Sequence, residues 1–173
     1  LYIVLLQERR HRELRKWSRW KIFGLRLSLS APVRLLLPLF HTMKPIYKKL
    51  LSKGIPMHQV CEVGVYMPET SNVIDFIQQG IRTTLVEADA DVVTKIRAAF
   101  PQPSVTIHSV AVWDTDGELQ FSRAASSTFA TELPDSPALT NDKYVKKEEN
   151  TFTVPCTRFS NLDDGTIDLL SID

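Results

Sequence analysis

The chain has 173 residues, 43% of them hydrophobic, which suits one domain by the rough 100–200-residue prior and supplies enough apolar material for a core. Two cysteines are too few for a disulfide framework, no Cys/His spacing suits zinc, and the apolar cluster at residues 35–40 is far short of the ~20 residues a membrane-crossing helix needs. The net charge of +1 hides a split: up to Val60 there are thirteen Lys or Arg against Glu8 and Glu13, and beyond it eight basic against eighteen acidic residues, so the two parts carry +11 and −10. Such a division predicts a basic arm, residues 1–57, on an acidic domain, residues 58–173, with an anionic membrane surface or nucleic acid as the arm's candidate partner.

Leucines and tryptophans spaced among arginines predict a basic helix over residues 1–23, with Trp17 and Trp20 on its apolar side. A short helix at 45–53 follows, stopped by Gly54. Residues 59–63, apolar at Val60, Cys61 and Val63, predict a first core strand. A helix at 69–79 follows, entered through Pro68 and carrying Val73, Phe76 and Ile77 at helical spacing. Residues 81–87 predict the second strand. The next helix has Val92, Val93, Ile96 and Phe100 toward the sheet and Asp91 as its cap. Residues 105–110 alternate as a third strand, Asp116-Gly117 is a turn signal, and 118–121 read as a half-exposed strand. The polar stretch 122–147 reads as a long loop, the kind that is functional or disordered in compact domains. A strand at 151–157, one helical turn at 158–162 and a fourth core strand at 167–173 complete the chain. Its sheet is expected to continue beyond Asp173, leaving an apolar edge beside the fourth strand within the present residues.

Two short apolar runs that end in acids, 59–63 with Glu62 and 83–87 with Glu87, flank an amphipathic segment. Together they read as a strand–glycine turn–helix–strand nucleotide-binding unit. An ionised carboxylate at the tip of a buried strand is costly unless something there accepts its charge, and ribose hydroxyls are such a partner. Val65-Tyr66-Met67-Pro68 lacks the further glycines that close approach of a pyrophosphate requires, so the unit departs from the dinucleotide fingerprint.

The run Cys61-Glu62-Val63-Gly64-Val65-Tyr66, then Val86-Glu87, then His108-Ser109-Val110-Ala111-Val112, and finally Ile167-Asp168-Leu169-Leu170-Ser171-Ile172-Asp173 resembles the FkbM-type class I S-adenosylmethionine-dependent methyltransferases. Pro68 departs from the second glycine many class I enzymes carry. The resemblance implies a Rossmann-like α/β fold with a mostly parallel sheet, C-terminally truncated here, and S-adenosyl-L-methionine as cofactor. It implies methylation of a hydroxyl on a sugar or other small metabolite; separately, Cys61 and Cys156 read as buried thiols of a reducing compartment, so a cytoplasmic setting without a metal is expected, with the arm as a route to membrane association. It further implies that Glu62, Gly64, Val65 and Tyr66 surround the methionine end and that Glu87 holds the ribose, with Ala88 and Asp89 beside it. Ser109, Val110 and Ala111 pack the adenine, and Asp173 lies near the reacting methyl as the candidate catalytic acid–base group. Asp168, beginning the same strand, belongs to the opposite, structural end.

Each assignment has a plainer alternative: Glu62 as a carboxylate capping the next helix from outside, Gly64 as a turn needing positive φ, Tyr66 packed over the first helix, Asp89 as a helix cap, Trp113 as core rather than adenine stack. Replacing Glu87 by Ala is expected to weaken cofactor affinity with the fold intact. Alternatives for the whole are a nicotinamide-dependent oxidoreductase and a non-catalytic Rossmann-like domain tethered by its basic arm.

Overall fold

The computed structural model describes Tyr2–Leu5 and residues 43–124, 127–133, 136–140, 144–145 and 148–173. The chain divides into a unit at residues 7–42, which lies outside the described residues, and a second unit holding the rest.

In chain order the elements of the second unit are β1 (Tyr2–Leu5), α1 (Pro45–Ser52), β2 (Gln59–Val63), α2 (Ile74–Gln78), β3 (Arg82–Glu87), α3 (Ala90–Ala99), β4 (Val105–Ser109), β5 (Ala111–Val112), β6 (Gly117–Ala124), β7 (Ser127–Ala130), α4 (Pro137–Thr140), β8 (Thr151–Thr157) and β9 (Leu169–Ile172). Five strands form a sheet in the order β1-β9-β2-β3-β4, and every neighbouring pair is parallel. The other four form a second sheet, β5-β8-β6-β7, in which β6 pairs antiparallel with both β7 and β8. The expected α/β class with a mostly parallel sheet is therefore what the chain adopts.

Parallel strands need crossovers, and α2 and α3 provide them from β2 to β3 and from β3 to β4. Successive residues of β2 and β3 are buried on both faces, as parallel strands covered on each side are. On one face Val60, Leu85 and Leu169 meet Phe76 and Ile77 of α2, Val92 and Ile96 of α3, and Leu50 of α1. Tyr47 packs edge-on to Phe76 with ring centroids 4.9 Å apart. Truncating Leu85, which is wholly buried, to Ala is the kind of change that costs about 2–5 kcal/mol. On the other face Cys61, Val86, Ile167 and Leu170 are covered by Val110, Val112, Phe159 and Leu162. Among the described residues the helices α1, α2 and α3 thus contribute to one face, whereas a doubly wound sheet has helices on both.

Several expectations change. Tyr2–Leu5 are a strand along β9, not the first turn of a basic helix. The run Tyr-Ile-Val-Leu is apolar and β-branched, and the edge of β9 offers it a ladder. That edge is accordingly covered rather than open; the rest of the expected helix lies outside the described residues. Helix α1, placed with the arm by a boundary at residue 57, belongs to the core through Leu50, and Lys44 N–H donates to the Asp75 carboxylate at 2.6 Å. The helix expected at 69–79 is interrupted: a 3-10 turn at Pro68–Thr70 is followed by extended Ser71, and α2 begins at Ile74. Asp89, not Asp91, caps α3, its Oδ1 accepting from Asp91 N–H at 3.0 Å. The polar stretch 122–147 is only partly loop, because β6 runs on to Ala124 and β7 and α4 fall within it. No helix among the described residues is long and apolar enough to cross a membrane.

Candidate functional site

After β2 the chain moves outward through β3 to β4, then returns by β9 to the other side of β2. Strands β3 and β9 therefore lie on opposite sides of β2, and an open parallel sheet has a crevice at the carboxyl ends of strands where the strand order reverses in this way. A cavity of about 330 Å³ opens there, of the size that holds small ligands. Val63, Gly64 and Tyr66 line it from the end of β2, Glu87 and Ala88 from the end of β3, Val110 and Ala111 from beyond β4, and Asp173 from the end of β9.

Gly64 has φ +83°, which favours glycine, and its N–H donates to Val86 O at 2.9 Å. A Cβ there would stand 3.1 Å from the Asp173 carbonyl oxygen, so the turn needs both the conformation and the absent side chain to pass the tip of β9. Asp173 N–H in turn donates to Val63 O at 3.1 Å, tying the two strand ends together.

Glu87 is 8% exposed and is held from both sides by the backbone. Its Oε2 accepts from Val65 N–H at 2.9 Å and its Oε1 from Asp89 N–H at 2.8 Å. Burial pushes its pKa up, outweighing these two hydrogen bonds, which favour the ionised form. A carboxylate has about four lone-pair positions, so two remain after the amides are counted.

Glu62 lies elsewhere. Alternation along β2 puts it on the helix-covered face with Val60, where its Oε2 accepts from Ser71 Oγ–H at 2.5 Å and its Oε1 from Asn72 N–H at 2.8 Å. It braces the extended break between the 3-10 turn and α2, which is why that helix starts late. Burial raises its pKa first, and the charge of Asp173 adds to the rise. Val65 is a core residue outside the cavity wall. Asp89 is buried, caps α3 and is ion-paired with Arg123. Tyr66 lines the cavity while 43% exposed, and Trp113 packs against the second sheet's core instead.

The sequence reading brought Gly64, Tyr66, Glu87, Ala88, Val110, Ala111 and Asp173 to one cavity. It missed Phe121 and Thr128, which reach the cavity from β6 and β7. The alternation Leu119, Phe121 was visible, but nothing local says that this face turns toward the first sheet. Asp168 is at the opposite end, its Oδ2 accepting from His58 N–H at 2.6 Å and Gln59 N–H at 3.1 Å, and these bonds hold its pKa down.

No family model, curated protein or solved structure matches the chain. Fold and site by themselves define an α/β protein with a small-molecule cavity at the reversal point of a parallel sheet, walled on one side by a buried carboxylate.

Proposed function

We propose that the protein is an S-adenosylmethionine-dependent methyltransferase acting on the hydroxyl of a sugar or other small metabolite. The observation that carries this reading is Glu87, a buried carboxylate fixed by two backbone amides at the cavity wall with acceptor capacity left over. Fixed in that way it suits a pair of vicinal hydroxyls, since hydrogen bonds to an ionised acceptor are the strong kind. The single glycine turn and the apolar Val110 and Ala111 wall fit a nucleoside without a pyrophosphate.

Bound in this cavity, the cofactor would supply an electrophilic methyl group on a sulfonium. Glu87 receives the ribose, Gly64 leaves room beside β2, and Val110 and Ala111 exclude water from the base. Asp173, at the tip of β9, would be the group that takes the proton of the acceptor hydroxyl while the methyl passes from the sulfonium, which leaves as the thioether. Holding the acceptor oxygen in line with the methyl carries much of the rate, so positioning by the cavity walls matters as much as the base.

Calorimetric titration with S-adenosylhomocysteine, run beside NADH, tests the reading. Micromolar binding of the first alone is the expected result. Binding of NADH alone, or of neither by folded protein, would sink it.

A further inference from the structure

The second sheet reaches the cavity through one face. Along β6 successive side chains alternate, so Leu119, Phe121 and Arg123 share a side, and Thr128 of β7 stands opposite Arg123 in the ladder. Phe121 and Thr128 line the cavity, and Phe121, Phe152 and Ala88, the last next in sequence to Glu87, pack against one cluster of Ala111, Leu119, Val154 and Cys156. This sheet therefore walls the cavity beside the tip of β3, through Ala88.

Arg123 is the bracket between the two. Its Nε donates to Asp89 Oδ2 at 2.8 Å and its Nη2 to Asp89 Oδ1 at 2.7 Å, a forked pair onto a carboxylate that is 3% exposed. Nη2 also reaches Asp91 Oδ2 at 3.2 Å, and the guanidinium carbon lies 5.1 Å from the centroid of the Phe152 ring. An exposed ion pair contributes little, but a bidentate one to a buried carboxylate fixes geometry. Asp89, so held, presents its own N–H to Glu87 Oε1, and Glu87 Oε2 takes the Val65 N–H of the glycine turn. The chain of contacts runs from β6 to the first turn of the ligand loop.

We propose that Arg123 is a positioning residue for the nucleoside end of the cavity: its fork on Asp89 sets the turn that aims the Glu87 carboxylate and seats Phe121 and Thr128 against the same end. The inference rests on the adenosine reading above and gives the second sheet the task of recognising the ribose and base. Without the fork, the Asp89 turn loosens, Glu87 loses its fixed direction, and the cavity no longer distinguishes a ribose from a deoxyribose.

The test compares adenosine with 2′-deoxyadenosine, by titration, on the wild type and on Arg123→Ala, with circular dichroism confirming that each is folded. Wild type is expected to prefer adenosine by at least about tenfold, and Arg123→Ala to weaken adenosine binding and drop that preference below about threefold. An ion pair that only stabilised the fold would lower the melting temperature and leave the preference intact. Arg123→Lys keeps the charge without the fork and should fall between, which carries the test if the alanine variant does not fold. Asp89→Asn should reproduce the loss, and combining it with Arg123→Ala should add little. A folded Arg123→Ala that retains the wild-type preference overturns the inference while leaving the adenosine reading standing. Binding of neither nucleoside nor S-adenosylhomocysteine by wild type overturns both.

Discussion

The two ends of the parallel sheet use the same device to opposite effect. At the amino end the Asp168 carboxylate accepts two backbone amides, from His58 and Gln59, and at the carboxyl end the Glu87 carboxylate also accepts two, from Val65 and Asp89. Yet the pKa of Asp168 is held down and that of Glu87 is pushed up. Burial decides the difference: the Asp168 side chain is 35% exposed, so its hydrogen bonds prevail, while Glu87 has lost the water that would have stabilised its charge. An acid at the amino end ties strand starts together. At the carboxyl end burial disfavours the charge of Glu87, and under the proposed function a hydroxyl-bearing ligand would offset that cost.

Replacing Glu87 by Ala breaks the comparison most severely. S-Adenosylhomocysteine affinity should fall at least about tenfold, and because two buried amides lose their acceptor, stability should fall by about 2 kcal/mol in a denaturant melt. The structure thus revises the expectation that this variant leaves the fold untouched. Unchanged affinity would remove Glu87 from the ligand wall.

The pH profile sharpens it. Ribose hydroxyls donate to the ionised carboxylate, so affinity should decline as pH falls through the raised pKa of Glu87. The decline approaches about tenfold per pH unit and begins above the ordinary carboxylate range. A calorimetric profile that declines only within the ordinary carboxylate range would contradict the burial argument. For stability the signs are opposite at the two ends. The raised pKa values of Glu62 and Glu87 mean that folding favours their protonated forms, a contribution present below the unfolded value and lost as pH rises through the folded one. The lowered pKa of Asp168 gives a contribution present above the unfolded value and lost as pH falls through the folded one.

Asp168→Ala should cost about 1 kcal/mol of stability, the scale of hydrogen bonds lost at a partly exposed site, with ligand affinity unchanged. Weakened binding would mean that the two ends are coupled.

The smallest effect is expected at Glu62. One of its partners is the Ser71 hydroxyl, which can accept as readily as donate. Glu62→Gln therefore keeps both contacts while removing a buried charge, and should be neutral or stabilising by less than about 1 kcal/mol at neutral pH. Glu87→Gln has no such freedom, because both of its partners are backbone N–H donors and a side-chain amide would face one of them. A loss at Glu62→Gln as large as at Glu87→Gln would erase the distinction between bracing and binding carboxylates.

Much of this was legible in the residues. Apolar runs, glycines after strands and helical spacing are local signals, and they located β2, β3, β4, β8 and β9 to within two residues. They also placed Asp168 and Asp173 at opposite ends of one strand, since four residues of extended chain lie between them. The acid at the tip of β3 and the glycine after β2 line one cavity because the alternation of strand and crossover helix makes adjacent parallel strands end together.

What each acid does there was beyond local reading. Glu62 and Glu87 look alike in sequence, a carboxylate closing an apolar run, and only the packed molecule separates them. Glu62 finds Ser71 and Asn72 of the next segment, whereas Glu87 finds amides from two loops and still faces the cavity. Phe121 reaches the cavity from a half-exposed strand and Thr128 from the polar stretch, where Arg123 finds its partner Asp89 34 residues away. Local pattern determines which face of a strand is apolar and where the strand ends. Which partner meets that face or tip is set by burial, excluded water and pairing between distant segments, and those exist only once the chain has closed on itself.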